Sequence, residues 1–343
     1  MCGALILVLK EIAIAYGSRQ DTTNSELLEI AQTSEEFGYS AFFTGESWGR
    51  DALTALTFVA CHTSSLKVGT GILPIYSRTP ALIAQSIASL DSISGGRAIL
   101  GLGTSGRIVI EDWHGVPFEK PIENTEEYVA IIRQALSGQR LDYSSDNYNL
   151  KGFRLNINPT QSEIPIYLAS LGPRNLELTG KIANGWIPIW VHYEHLPSLK
   201  ASVEAGSISV GRDPSLVKVC PQILCYMAET SRERETGKDL IRRHIAYYVA
   251  GMGTYYYNLF CRYGYKTESD KVREAWVRND REAASRAISD DIIEAIAVTG
   301  DPNECQFKIE RFRSFGADAP IVAFPHGMRH NAVLDTIRSL GRK

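Results

Sequence analysis

Short apolar runs punctuated by Gly, Pro, Ser and Asp recur along the chain, and between them lie longer stretches in which apolar residues return at helical spacing. The short runs lack a strict polar/apolar alternation, as strands covered on both faces do. They predict eight strands, at residues 12–16, 41–44, 67–73, 97–102, 164–169, 185–190, 216–226 and 320–324. Helical patterns fill most of the gaps. In "TPALIAQSIASLDSIS", Leu82, Ile83, Ser86, Ile87 and Leu90 share one face, and "NSELLEIAQTSEEFG" reads the same way. Eight alternating units predict an α/β fold, a TIM (β/α)8 barrel.

Two stretches interrupt this rhythm. Residues 138–163 separate a helix from the next strand, and residues 253–290 hold an aromatic-rich and then a charged helical block. Both read as insertions into one domain spanning residues 1–343, because no repeat, low-complexity tract or Pro/Ser-rich boundary divides the chain.

Composition narrows the partners. With 343 residues, 44% of them hydrophobic, the chain can bury a large core. A net charge of -3 offers no basic surface for nucleic acid or anionic membrane, so a small molecule is the expected partner. The opening "MCGALILVLKEIAIAYG" is cut by Lys10 and Glu11 and reads as strand, not as leader or membrane span, which places the protein in the cytoplasm. Cys2, Cys61, Cys220, Cys225, Cys261 and Cys305 form no C-x-x-C pair and are expected to be buried free thiols.

The segment "GRAILGLGTSGRIV" poses a sharper question, since Gly101, Gly103 and Gly106 spell the dinucleotide-binding pattern G-x-G-x-x-G. That pattern requires a helix to begin within it and an acidic residue to end the next strand. Instead, Gly115, Pro117 and Pro121 follow, and the first long helical pattern begins only near Glu123. Two readings remain: a Gly-rich turn, or a barrel strand whose end (Gly103, Thr104, Ser105, Gly106) lets a flat ring approach the backbone.

At this point longer motifs become informative. "GTGILPIYSRTPALIAQSIASLDSISGGRAILGLGTSG", "WHGVPFEKPIENTEEYVAIIRQAL", "IPIYLASLGPRNLELTGKIANGWIP", "AGMGTYYYNLFCRYGY" and "VTGDPNECQFKIERFRSFGADAPIVAF" follow one another in the order seen in the luciferase-like superfamily. Over roughly residues 11–325 the chain resembles its coenzyme F420-dependent oxidoreductases, which include methylene-tetrahydromethanopterin reductase. The resemblance implies a bacterial luciferase-like TIM barrel with insertions. It also implies a deazaflavin cofactor at the C-terminal ends of the strands, hydride transfer to a small organic substrate, and a homodimer.

Site residues follow from the same resemblance. Gly71 and Ile72, in "VGTGILP", stand where relatives hold a non-prolyl cis peptide behind the deazaflavin ring, next to Gly103, Thr104 and Ser105. Ser170, Gly172, Arg174 and Asn175, in "ASLGPRN", close a strand and open a helix whose free N–H groups suit an anionic tail. Arg78 is a second cation near the mouth. Glu46, in "FFTGESWGRDAL", stands where many relatives carry an Asp-His pair, and it is either the proton-transfer group, desolvated beside Trp48, or the ion-pair partner of Arg50 or another arginine.

Other residues carry weaker signals. Glu111, Trp113 and His114 line the substrate side or support a loop, and the tyrosines of "GTYYYNLFCRYGY" pack the insertion or wall the cofactor. The spacings of His192 with His195 and His326 with His330 come with no Cys/Asp/Glu cluster, so no metal is expected. Two alternatives to F420 chemistry stay open: an FMN-dependent monooxygenase fed by a reductase partner, and a non-catalytic flavin- or deazaflavin-binding protein.

Overall fold

A computed structural model describes residues 11–16 and 22–341, so Cys2 and the rest of residues 1–10 lie outside the described residues. Parallel strands curl into a barrel. Ala13–Ala15 pairs with Ala41–Thr44 on one side and with Ile321–Ala323 on the other. Lys67–Thr70, Ala98–Gly103, Ile166–Leu168 and Gly185–Trp186 continue the sheet, each parallel to its predecessor. Gln222–Met227 pairs with Ile321–Ala323, and a parallel bridge between Ile189 and Gln222 closes the circle. Helices cover the outside, which accounts for strands that read as unbroken apolar runs: Ile14, Phe42, Val68, Leu100 and Ile166 are fully enclosed.

Each predicted strand is present, with local differences that have physical causes. The run at 216–226 splits into Lys218–Val219 and Gln222–Met227, because Pro221 has no N–H to continue the ladder. Cys220 and Cys225 therefore belong to separate pieces. Of the described cysteines, Cys220, Cys225 and Cys305 are buried free thiols, but Cys61 is exposed, contrary to expectation, at the end of the helix Ala52–Cys61. A strand at Ala297–Gly300 pairs with Gln222–Met227 and was missed; its four residues follow the helix Asp290–Ile296 without a turn signal. Residues 138–163 carry an antiparallel hairpin, Leu141–Ser144 with Asn149–Phe153, and 253–290 carry the helices Tyr255–Arg262, Lys266–Val277 and Arg281–Arg286.

The strand expected at 67–73 is interrupted. Lys67–Thr70 pairs with Ala98 and Ile99, Leu73–Pro74 pairs with Leu102 and Gly103, and Gly71 and Ile72 bulge out between them. The enclosed Thr70 hydroxyl fills the gap: it donates to the Gly101 carbonyl at 2.7 Å and accepts from the Gly101 N–H at 2.8 Å. Contact here is so close that a Cβ on Gly101 would stand 1.9 Å from the Thr70 carbonyl oxygen. Gly101 is thus a packing glycine of the barrel wall, and the G-x-G-x-x-G pattern is a coincidence of spacing.

A second glycine contact fixes the helix Pro173–Ile182 against the helix Leu196–Ser209. A Cβ at Gly180 would meet the Val203 carbonyl oxygen at 1.9 Å, and one at Gly206 would meet the Glu177 carbonyl oxygen at 2.0 Å. The Ser207 hydroxyl donates to the Gly180 carbonyl at 2.9 Å across the same crossing.

Replacing Thr70 with Val keeps the volume and strands the buried Gly101 N–H, an omission that costs about 1 to 3 kcal/mol. Urea denaturation of Thr70→Val is expected to show a loss in this range, and a loss below about 0.5 kcal/mol would mean that the hydroxyl does not couple the two strands.

Candidate functional site

A cavity of about 650 Å3 opens at the C-terminal ends of the barrel strands. Residues at or just after the strand ends form its floor, and the helix Ser231–Gly251 with the following segment forms the opposite wall through His244, Tyr248, Met252, Tyr255 and Tyr256. All of the expected site residues line it: Glu46, Gly71, Ile72, Gly103, Thr104, Ser105, Ser170, Gly172, Arg174 and Asn175.

The bulge after Thr70 explains the backbone character of one wall. The peptide bond between Gly71 and Ile72 is cis, the Gly71 N–H donates to the Thr44 carbonyl at 2.8 Å, and the Glu46 N–H donates to the Ile72 carbonyl at 3.1 Å. Side chains are excluded nearby. A Cβ at Gly45 would stand 2.9 Å from the Gly71 carbonyl oxygen, and one at Gly103 would stand 3.1 Å from the Ile72 side chain. The result is a flat face of peptide groups and small residues, ending at Ser105, which adopts a left-handed φ of 58°.

The helix Pro173–Ile182 points its N-terminus at the cavity. No side chain caps it, and Pro173 lacks an N–H, so the amides of Arg174 and Asn175 are its first-turn donors. The Asn175 Oδ1 is buried without a partner, a feature that a ligand donor would resolve. Arg174 is largely exposed and makes only a long contact, 3.4 Å, with Glu123. Ser170 plays a supporting part: its hydroxyl and that of Thr179 share a 2.8 Å hydrogen bond, and its carbonyl accepts from the Trp186 indole at 2.9 Å.

Glu46 is held differently from the desolvated acid envisaged beside Trp48. Arg78 grips both carboxylate oxygens, at 2.6 and 2.9 Å, and the Ala52 N–H donates to Oε2 at 3.1 Å. Arg78 also contacts Asp51, the cap of the helix Ala52–Cys61. The hydrogen bond to Glu46 raises the Arg78 pKa. Both oxygens of the Glu46 carboxylate are engaged by the guanidinium, a geometry that anchors the segment after Ala41–Thr44. Arg50 does not pair with Glu46; it donates to Asn24 Oδ1 at 2.6 Å. Trp48 is half exposed and meets Tyr247 edge-on.

Sequence reasoning missed His244, the histidine of the opposite wall. His244 packs against Trp190, Tyr248 and His326, with ring centroids 5.4, 5.4 and 4.6 Å away. Burial, reinforced by His326, pushes the His244 pKa down to about 3. Within "LIRRHIAYYVAG" it looks like any residue of an amphipathic helix, and no short-range signal marks it. His326 and His330 do not act as a pair: His330 contacts Glu29 at 2.7 Å, and His326 lines the cavity. Glu111 instead contacts Arg107 at 2.5 Å, while Trp113 is exposed; neither, nor His114, lines the cavity. These three residues lie in or beside the wide helical turn Val109–Trp113, which forms where Gly115 and Pro117 argued against a helix. Among the tyrosines of the insertion, Tyr255 and Tyr256 face the cavity, whereas Tyr257 donates to Asp270 at 2.7 Å and Tyr263 packs on His195. Among the described residues no group of three or more His, Cys, Asp or Glu side chains gathers to hold a metal, and no helix is long and apolar enough to cross a membrane.

A parallel barrel with its cavity at the strand C-termini, a backbone platform and an anion-ready helix end defines a class of cofactor-binding barrel enzymes. Residues 5–319 match the model of the luciferase-like monooxygenase family, and the chain belongs to that family. A protein of Mycobacterium tuberculosis named as a coenzyme F420-dependent oxidoreductase is 27% identical over 325 residues, covering 90% of this chain and 92% of the relative. The 5,10-methylenetetrahydromethanopterin reductase of Methanolobus tindarius is 28% identical over 305 residues, covering 88% and 91%. In structure, the coenzyme F420-dependent tetrahydromethanopterin reductase of Methanopyrus kandleri superposes with a TM-score of 0.84 at 24% identity, over 96% of this chain and 98% of that one.

Two outcomes are expected. Glu46→Gln should lower the unfolding free energy by about 2 to 3 kcal/mol, below the cost of breaking a fully buried pair because Asp51 still holds Arg78; a change under about 0.5 kcal/mol would make the pair a solvated contact. His244 contributes stability above its unfolded pKa of 6.5, which is lost as pH falls toward its folded value of about 3. Urea denaturation across that window should therefore show a shallower acid loss in His244→Phe than in the wild type, and parallel curves would refute the burial of a neutral imidazole.

Proposed function

We propose that this chain is an F420-dependent oxidoreductase that moves hydride between the deazaflavin and a small organic substrate. The observation that carries the reading is the pairing of an uncapped helix N-terminus, with Arg174 beside it, to a flat wall of backbone at Gly71, Ile72 and Gly103. A phosphate-bearing tail suits the first and a planar ring suits the second. The names and structures of the relatives support the same cofactor.

When bound, the deazaflavin supplies two-electron hydride chemistry, and the protein supplies position and surroundings. Arg174 and the amides of Arg174 and Asn175 would hold the anionic tail. Gly103, Thr104 and Ser105 would border the ring on the same wall as the Gly71 and Ile72 peptide, whose Ile72 carbonyl accepts from the Glu46 N–H. The tyrosines and Met252 of the opposite wall would keep water from the reacting face.

Titration of the purified protein with F420, followed by quenching of the cofactor's fluorescence, is expected to give micromolar or tighter binding and at least about tenfold weaker binding of FMN, a gap of about 1.4 kcal/mol. Arg174→Ala should weaken F420 binding by roughly tenfold. Preference for FMN would overturn the reading and direct the search to oxygen consumption with a reductase partner.

A further inference from the structure

The cavity is chemically unequal along its length. Apart from the histidines, its charged lining residues are Glu46 and Arg174. Glu46 is neutralised by Arg78, and Arg174 stands at the helix end that the cofactor reading assigns to the anionic tail. Among the described residues, the inner end therefore offers no free cation to a phosphate or carboxylate, and a buried unpaired anion against these residues would be strongly disfavoured. Its walls are rings instead. Tyr248 and Tyr256 meet at 4.8 Å, and Tyr16 and Phe324 meet at 6.1 Å on the barrel side.

His244 is a polar group set among them, with the ring of His326 4.6 Å away. Its Nδ1 is buried with no hydrogen-bond partner. A buried N–H without an acceptor is less tolerable than a bare lone pair, so the hydrogen of the neutral imidazole belongs on Nε2. Because His244 lines the cavity while Nδ1 is enclosed, Nε2 is the nitrogen on the cavity side. The ring is fixed in place by Trp190, Tyr248 and His326. A rigid neutral donor between aromatic walls, with no free cation among the described lining residues beside it, suits an uncharged planar molecule presenting a hydrogen-bond acceptor.

We propose that the inner end of the cavity is a subsite for an uncharged, planar carbonyl compound whose carbonyl oxygen accepts a hydrogen bond from His244 Nε2. The assignment rests on the F420 reading only in giving the outer end to the cofactor.

Calorimetric titration of F420-saturated protein with three probes of one shape tests this: 2-acetylnaphthalene (a neutral ketone), 2-ethylnaphthalene (no acceptor) and 2-naphthoate (an anion). The ketone is expected to bind at least about tenfold more tightly than either of the others. His244→Phe, which keeps a ring in the wall, should reduce its advantage over 2-ethylnaphthalene to under about threefold, and His244→Asn, which restores a donor, should recover part of it. Equal or tighter binding of 2-naphthoate, or a ketone preference that survives in His244→Phe, would overturn the subsite. F420 binding is read separately, by its own fluorescence, in each variant. The same three probes are titrated into protein without F420: a wild type that does not bind F420 but keeps the ketone preference would sink the cofactor reading and leave the subsite standing.

Discussion

The cavity depends on one threonine hydroxyl. Parallel strands in a closed barrel need continuous pairing, yet the Lys67–Thr70 strand must release Gly71 and Ile72 toward the axis before pairing resumes at Leu73. Thr70 reconciles the two demands by substituting its side chain for the missing main-chain partner of Gly101, as donor and acceptor at once. The arrangement works only where neighbouring backbones touch, which is why position 101 tolerates no side chain. From this single adjustment follow the orientation of the Gly71 and Ile72 peptide, the hydrogen bond that draws in Glu46, and the need for glycine at position 45.

Around that frame, charge is used for construction on the barrel side and kept away from the chemistry. Arg78 ties the segment after the second strand to the cap of the next helix through Glu46 and Asp51. The opposite wall uses neutral groups, with His244 held uncharged by its surroundings. This division of labour leaves the cavity between a charged, cross-linked side and a neutral, aromatic one.

Much of this was legible in the sequence, for reasons that differ by element. Buried parallel strands announce themselves as short apolar runs, so the barrel could be counted, and the strand-to-helix step at "ASLGPRN" marks a helix end by its Pro. Glu46 and Arg78 were each singled out, but their pairing joins residues 32 apart in the chain and no local pattern encodes it. His244 was invisible because its significance comes largely from Trp190 and His326, which reach it from distant segments to join Tyr248 of its own helix. The strand Ala297–Gly300 escaped notice because it continues a helix with no punctuation, its strand character arising from pairing alone. Periodicity reports what a segment buries; it does not report which distant side chain it meets.

The crossing of Gly180 with Gly206 limits how such a protein can diversify. Two helices in backbone contact at a pair of glycines can neither slide nor roll past each other without collision, so the amides at the start of the Pro173–Ile182 helix hold one position relative to the barrel. Affinity for an anion there can change only by exchanging side chains at the rim, Arg174 among them. The far wall, built from the helix Ser231–Gly251 and the start of the insertion after it, takes no part in this crossing. Changes at residues 244 to 256 can therefore reshape the cavity while the start of the Pro173–Ile182 helix keeps its place against its neighbour.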